Sequence, residues 1–414
     1  MKLGINGMGR IGKLSLWTHV ARKRFSGIVV NLGREVGANL QDLAETVEKD
    51  STYGRLTQYL HGVRGQRVIE NLDEATGTMT IDGVPVRFLR AGRNPREIAW
   101  RENDVQLVVD CTGVFIDPTR SFDAPEGALR GHLQAGARKV VLSAPFKVKS
   151  QGLGMPDDAV TTVMGINEEA YDPARHALIS AASCTTTCLS FMMKPIMDHF
   201  GVDRILSASM VTVHASTSSQ TVLDAVPAAG AKDLRKSRSI MNNIILTTTG
   251  AAKALRLVLP EMGDVGFMAE SVRVPTTTGS LTILTLNLQS ESRERPINRS
   301  DINGIYQEAA QGAYRNYLAY SEMQNVSSDM IGFPKAATVI EGQETHTRTA
   351  FIRLNLDRVP GLSPEILEML ASLPRHTLEA PVTQVVVYGW YDNELGSYAN
   401  MLGDLTDHVA SQMI

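Results

Sequence analysis

The sequence predicts an α/β chain in two parts: a doubly wound parallel sheet over residues 1–182, then an α+β part with a mainly antiparallel sheet over residues 183–395. Three observations predict it. The first thirty residues read strand, glycine turn, helix, strand, which is one βαβ unit with a tight first crossover. Two later runs, DVQLVVDC (104–111) and ARKVVLS (137–143), are apolar without alternation, as strands covered on both faces are. Beyond residue 183 the strand-like runs lengthen, at 206–214, 268–275, 280–288 and 350–356, with few helical stretches between them.

Taken in order, residues 2–6 form a short extended run, 11–23 a helix and 27–31 (GIVVN) a second buried strand. Between 55 and 105, the segments RVIENL, TMTIDG and VPVRFL alternate with turn signals and predict an antiparallel excursion. The two apolar strands end in Thr112-Gly113 and Ala144-Pro145. HALISAA then leads into SCTTTC (183–188), which opens an apparent helix, CLSFMMKPIMDHF. Pro195 lacks an N–H and clashes with the preceding turn, so it should kink or end that helix. Residues 289–300 and 358–380 read as surface insertions, and a last helix over about 396–414 should pack back on the first part.

The chain has 414 residues and an apolar fraction of 43%, which suits two packed cores. A net charge of −3 with mixed signs argues against nucleic acid or an anionic membrane surface as a partner. Three cysteines, Cys111, Cys184 and Cys188, are no disulfide framework and fit a reducing compartment. Glycines interrupt the N-terminal apolar run at once, and no stretch is long enough to span a bilayer, so a cytoplasmic protein is expected.

Gly7-Met8-Gly9-Arg10-Ile11-Gly12 is a G-x-G-x-x-G between a strand and a helix. Its glycines let the turn close and the backbone approach a pyrophosphate, which then rests on helix N–H groups. That makes the first part a Rossmann-type, dinucleotide-binding one, although the pattern alone also describes a tight structural turn. An acidic residue is expected about twenty positions on, to accept from the ribose hydroxyls. Leu32 stands there instead, followed by Gly33-Arg34. No carboxylate repels a 2′-phosphate, and Arg34 can meet one, so NADP or dual use is favoured over NAD alone.

Cys184 sits where a helix begins, in the positive end of the helix dipole, which favours thiolate. This is the placement of a thiol nucleophile. A Cys-x-x-x-Cys metal pair is the competing reading, and the two further ligands at suitable spacing are missing, so no metal is expected. A buried structural thiol is the plain reading for Cys188, one turn further in, and for Cys111.

With these motifs go DSTYG (50–54), MGIN (164–167), TVHAST (212–217), TTTGAAKA (247–254), RVPT (273–276), VSSD (326–329) and WYDNE (390–394). In that order, nearly end to end, the chain resembles the glyceraldehyde-3-phosphate dehydrogenase family. The resemblance implies Cys184 as nucleophile and His214 as base, held as a thiolate–imidazolium pair. It implies cofactor contacts from Gly7, Gly9, Arg10, Ile11, Gly12, Arg34, Thr112, Ser143 and Asn393, the last orienting the nicotinamide carboxamide. Thr217 and Arg273 fall to the substrate phosphate. Ser183, Thr185, Lys236, Thr249 and Gly250 complete the anion sites, mainly for the attacking phosphate. The implied reaction oxidises glyceraldehyde 3-phosphate with NAD(P) and inorganic phosphate to 1,3-bisphosphoglycerate through a cysteine thioester, in a homotetramer whose 215–245 loop lies near a neighbour's cofactor.

Several positions depart from the family pattern. Thr187 and Ala181 replace asparagines, and Ser218-Ser219 stand where an aspartate is frequent. Lys236 stands for an arginine, so it binds an anion as a point charge and not a fork. Ala225-Val226 replaces a Leu-Pro usual in NAD-specific members, which agrees with Leu32 in pointing to NADP. The chain is also longer than is usual for the family. An erythrose-4-phosphate dehydrogenase, or a non-catalytic homologue with a binding or regulatory role, are the alternatives to a triose-phosphate enzyme.

Overall fold

The computed structural model describes residues 1–90, 92–149, 152–290, 294–333, 336–372 and 376–413, apart from the side chain of residue 64. Two large sheets organise it. The first is built from β1 (Lys2–Asn6), α1 (Arg10–Arg22), β2 (Ile28–Asn31), α2 (Leu40–Glu48), the small pair β3 (Lys49–Asp50) and β4 (Gly54–Arg55), α3 (Leu56–His61), β5 (Ile69–Asp73), β6 (Thr78–Ile81), β7 (Val84–Leu89), β8 (Val105–Asp110), α4 (Gly131–Gln134), β9 (Lys139–Leu142), β10 (Ala159–Thr161) and β11 (Leu178–Ser180). Its nine strands run in the order β10-β11-β9-β8-β1-β2-β7-β6-β5. The pairs from β10 to β7 are parallel, and only β5, β6 and β7 pair antiparallel. This is a doubly wound, Rossmann-type sheet with the expected antiparallel excursion at one edge.

β1 lies between β2 and β8, so the chain switches sides there and a crevice opens at the strand ends. Gly7 and Thr112 meet at that point; a Cβ on Gly7 would lie 3.0 Å from Thr112 Cγ2, and Gly7 has φ +89°. Beneath the crevice a buried polar network holds the strand ends together. Asn31 Nδ2 donates to Asn6 Oδ1 at 2.8 Å, and Asn6 Nδ2 donates to Asp110 Oδ2 at 2.8 Å. Trp100 Nε1, which can only donate, lies 2.9 Å from His132 Nδ1, so the ring proton sits on Nε2 and faces Asp110 Oδ2 at 3.0 Å. Burial alone would push the Asp110 carboxyl up, but hydrogen bonds from His132, Thr112 and Asn6 outweigh it and hold the pKa down.

The second sheet follows α5 (Cys184–Phe200): β12 (Ile205–Ala215), β13 (Ile245–Thr247), α6 (Ala251–Val258), β14 (Gly266–Val274), β15 (Ser280–Gln289), α7 (Arg299–Gln311), β16 (Leu318–Ser321), β17 (Thr338–Glu341), β18 (His346–Asn355), α8 (Pro364–Ala371) and β19 (Thr377–Tyr391). The strand order is β13-β14-β12-β15-β19-β17-β16, with β18 on β19. Most pairs are antiparallel; β12 with β14 and β16 with β17 are parallel. α5, α6 and α7 cover one face, and Phe191, Met192, Leu284, Val385 and Val387 are fully buried between them.

α5 runs unbroken through Pro195, against the sequence expectation. Phe191, Met192, Met193, Ile196 and Met197 are buried on both sides of the proline, and this packing outweighs the lost backbone bond. Residues 358–380 are also more than a loop. They hold α8 and the start of β19, which forms an outlying two-stranded ribbon with β18. Finally α9 (Asn400–Ser411), reached through a π-helical turn at Leu395–Ala399, returns to the first core. Leu402, Leu405 and Val409 pack into the cluster that holds Leu14 and Trp17 of α1. Among the described residues no helix is long and apolar enough to cross a membrane.

Candidate active site

The dinucleotide half of the site is the first turn of α1. Gly9 caps the helix without a side-chain bond, and no acidic residue lies in the first turn, so the N–H groups of Arg10, Ile11 and Gly12 face the crevice uncapped. A Cβ at Gly12 would run into the carbonyl of Gly7. The donor set and the close backbone fit a pyrophosphate. The Arg10 guanidinium is held by Asp50 and by Glu394 (Nε to Oε1 3.1 Å), so the cofactor contact expected of this residue would fall to its backbone. Thr112 Oγ1 donates to Asp110 at 2.6 Å and accepts from Val114 N at 3.2 Å, so its hydroxyl is committed to shaping the turn. Ser143 closes β9 and donates its N–H to Asp110 O at 2.9 Å. Leu32 is half-buried against the first core, and Arg34 beside it is exposed, so the predicted cation stands at the end of β2.

The chemical half lies at the mouth of α5. Ser183 is its N-cap, with Oγ accepting from Thr186 N at 3.1 Å, and Cys184 is the first helical residue. Cys184 Sγ lies 3.5 Å from His214 Nε2. His214 comes from the end of β12 and is 4% exposed. Tyr391 fixes the two elements against each other, its hydroxyl reaching Thr185 Oγ1 at 3.0 Å and Thr212 Oγ1 at 2.8 Å. Cys188, one turn on, is fully buried against Met192 and Thr338 Oγ1 (2.6 Å), a structural thiol.

Arg273 sits directly opposite His214 in the parallel register of β12 and β14. Its NH1 meets His214 Nδ1 and lies 3.0 Å from Ala215 O. His214 Nδ1 is also 2.7 Å from Ala215 O. The two contacts compete. A guanidinium only donates, so Nδ1 must be bare to receive it, whereas Nδ1 needs its proton to donate to Ala215 O. Arg273 Nε is buried with no hydrogen-bond partner among the described residues.

The electrostatics of the pair are set by burial and by Arg273. Burial pushes the Cys184 thiol up, with Arg273 and Thr185 pulling the other way. Burial, then the charge of Arg273, push His214 down to about 4. Burial thus opposes the charged form of each group, and a thiolate–imidazolium pair has to draw on the attraction between the two.

The other predicted anion ligands lie on separate segments that follow β12 or precede α6. Thr217 follows β12 and bonds Ser219 and Gln220. Thr249 and Gly250 precede α6; Gly250 is its N-cap, and Thr249 Oγ1 accepts from Ala251 N at 3.2 Å. Lys236 lies exposed on a short 3-10 turn at Leu234–Ser237. Asn393 is 5% exposed, its Oδ1 2.9 Å from Ser280 Oγ. Sequence reasoning missed Tyr391, Ser280, Thr278, Asp50 and Glu394, all of which act on other site residues. Tyr391 and Glu394 stood inside the WYDNE motif, but nothing in the sequence marked Ser280 or Thr278.

Comparison with known proteins agrees with this geometry. A family model described as the glyceraldehyde 3-phosphate dehydrogenase NAD binding domain matches residues 1–118, and one described as the C-terminal domain of the same family matches residues 183–355. The chain is 34% identical to glyceraldehyde-3-phosphate dehydrogenase 2 of Streptomyces avermitilis, over 100% of this chain and 99% of the relative. It is also 34% identical to the glyceraldehyde-3-phosphate dehydrogenase of Geobacillus stearothermophilus, with the same coverage. The chain therefore belongs to the glyceraldehyde-3-phosphate dehydrogenase family of nicotinamide-dependent oxidoreductases.

Proposed function

We propose that this protein oxidises glyceraldehyde 3-phosphate with a nicotinamide dinucleotide and inorganic phosphate, giving 1,3-bisphosphoglycerate through a thioester on Cys184. The observation that carries the reading is the Cys184 thiol in the first turn of α5, 3.5 Å from His214 Nε2, with Arg273 beside the ring. When bound, the nicotinamide supplies the hydride acceptor.

The residues act as follows. Cys184 Sγ bonds to the aldehyde carbon while its proton passes through His214 Nε2 to the carbonyl oxygen, giving a thiohemiacetal. His214 Nε2 then takes the hydroxyl proton as that carbon gives up its hydride, leaving a thioester and an imidazolium. An oxygen of inorganic phosphate attacks the thioester carbon, the C–S bond breaks, and the imidazolium returns its proton to sulfur. The Cys184 N–H, which has no partner within α5 because it stands in the first turn, stabilises the oxyanion; one such donor is worth about 3 kcal/mol.

Arg273 gives the substrate phosphate a second effect. With the guanidinium on Nδ1, the ring proton lies on Nε2, where it blocks the base. A phosphate dianion that draws Arg273 away lets Nδ1 donate to Ala215 O and frees Nε2 towards sulfur. Thr217 flanks the same phosphate, and Ser183, Thr185, Lys236, Thr249 and Gly250 serve the anion sites.

Leu32 and the exposed Arg34 support NADP use or dual specificity. The two halves divide at residues 182 and 183, as a dinucleotide-binding and a catalytic domain. Exposed apolar residues on the 216–244 loop and around it, Val222, Leu223, Val226 and Ile244, support a homotetramer. The cytoplasm is the proposed location.

The test is a set of initial rates on glyceraldehyde 3-phosphate with NAD and with NADP, with phosphate present and absent, for the wild type and Cys184→Ser. Phosphate-dependent turnover that vanishes in the variant is expected. Turnover by Cys184→Ser would end the nucleophile assignment.

A further inference from the structure

Ser280 opens β15 and has no exposed surface. Ala215 N, which can only donate, lies 3.0 Å from its Oγ, so that hydroxyl accepts from the residue next to His214. Its single proton has one recorded acceptor, Asn393 Oδ1 at 2.9 Å. Pointed anywhere else among the described residues, the proton would be orphaned in a buried site, at a cost of about 1–3 kcal/mol. Thr278 Oγ1, 2% exposed, lies 3.2 Å from the same Oδ1 and 2.8 Å from Asp392 Oδ1. Asp392 is held in turn by Tyr53 OH at 2.7 Å and by the N–H groups of Glu394, Gly332 and Gly396, each at 2.9 Å. The Asn393 amide is thus turned so that its oxygen faces the protein and its Nδ2 faces the crevice.

We infer that Ser280 is a positioning residue for the nicotinamide: it sets the flip of the Asn393 amide so that Nδ2 donates to the carboxamide oxygen, and it ties that amide to the strand end carrying His214. The inference rests on the reading that Asn393 meets the carboxamide, and it adds the direction of the hydrogen bond and the group that enforces it. An amide freed from Ser280 rotates between two orientations, one of which offers an oxygen to an oxygen.

The experiment measures dissociation constants by calorimetry for three oxidised dinucleotides: with nicotinamide, with 3-acetylpyridine, which keeps the C=O and lacks the NH2, and with unsubstituted pyridinium, which lacks both. The proteins are the wild type, Ser280→Ala, Thr278→Val and Asn393→Ala. Ser280→Ala is expected to weaken the first two about tenfold, the scale of one hydrogen bond, and to leave the third unchanged. Thr278→Val, which leaves the Ala215 N–H partner in place, is expected to give a smaller loss of the same pattern, and it carries the test if Ser280→Ala does not fold. Equal weakening of all three by Ser280→Ala, or of none, overturns the inference and leaves Ser280 a packing residue. Weakening of the nicotinamide form alone overturns it by reversing the flip. If Asn393→Ala leaves the preference for the first two intact, the underlying assignment of Asn393 fails.

Discussion

The charge of Arg273 should be readable in the acid limb of the reaction. His214 is held at about 4, against an ordinary 6.5, by burial first and by Arg273 second. Arg273→Met removes the cation while keeping most of the side-chain volume in the parallel register opposite His214. The imidazolium is then no longer repelled, so the pKa of the base must rise. Burial remains, so less than half of the displacement is recovered, about one pH unit or roughly 1.4 kcal/mol. The base works only when neutral, so the variant should lose activity on acidification about one unit earlier than the wild type. Arg273 is also proposed to hold the substrate phosphate, which would confound the comparison. The assay therefore uses glyceraldehyde without its phosphate, on which the wild type should be slow because Nε2 carries the ring proton, and follows the position of the acid limb, not the size of kcat/KM, from pH 4 to 8 in both proteins. An acid limb that stays in place, or moves to lower pH, would refute the coupling between Arg273 and His214.

Leu32→Asp places a carboxylate at the end of β2 beside Arg34 and should depress NADP use much more than NAD use; equal loss with both would remove Leu32 from the account of selectivity. Gly12→Ala pushes a methyl group into the Gly7 carbonyl and should weaken dinucleotide binding at least a hundredfold or prevent folding, about 3 kcal/mol or more; near-normal affinity by calorimetry contradicts the close turn. Burial alone would raise the Asp50 carboxyl, but bonds from Arg10, Thr52 and Lys13 hold it well below its ordinary 3.8. Its stabilising effect is therefore present above that value and lost as pH falls through and below it. Asp50→Asn should lower Tm at pH 7 and flatten the fall of Tm below about pH 4; an unchanged acid slope would show that Asp50 contributes nothing there.

What the sequence disclosed, and what it hid, follows from how each feature is encoded. The parallel strands were legible because a strand covered on both faces must be apolar through its middle, and residues 107–109 (LVV) and 140–142 (VVL) are. The first turn of α1 was legible because Gly7 takes a left-handed backbone and Gly12 leaves no room for a Cβ against the Gly7 carbonyl. Pro195 misled because a local rule about proline carries no information on the five buried side chains around it. The surroundings of Cys184 and His214 were hidden for a similar reason: the burial that opposes both charged forms, and the cation that disfavours imidazolium while favouring thiolate, depend on the register of β12 with β14. Ser280 marks the limit of what sequence alone discloses. A serine that opens a strand is ordinary in sequence; it becomes specific only when Ala215 N and Asn393 Oδ1 arrive from β12 and from beyond β19 to take up both sides of one hydroxyl. The groups that do chemistry are therefore rare residue types in ordered motifs. The groups that orient them are common types whose meaning lies in their partners, and changes in such residues between family members should retune cofactor use and pH response without touching Cys184 or His214.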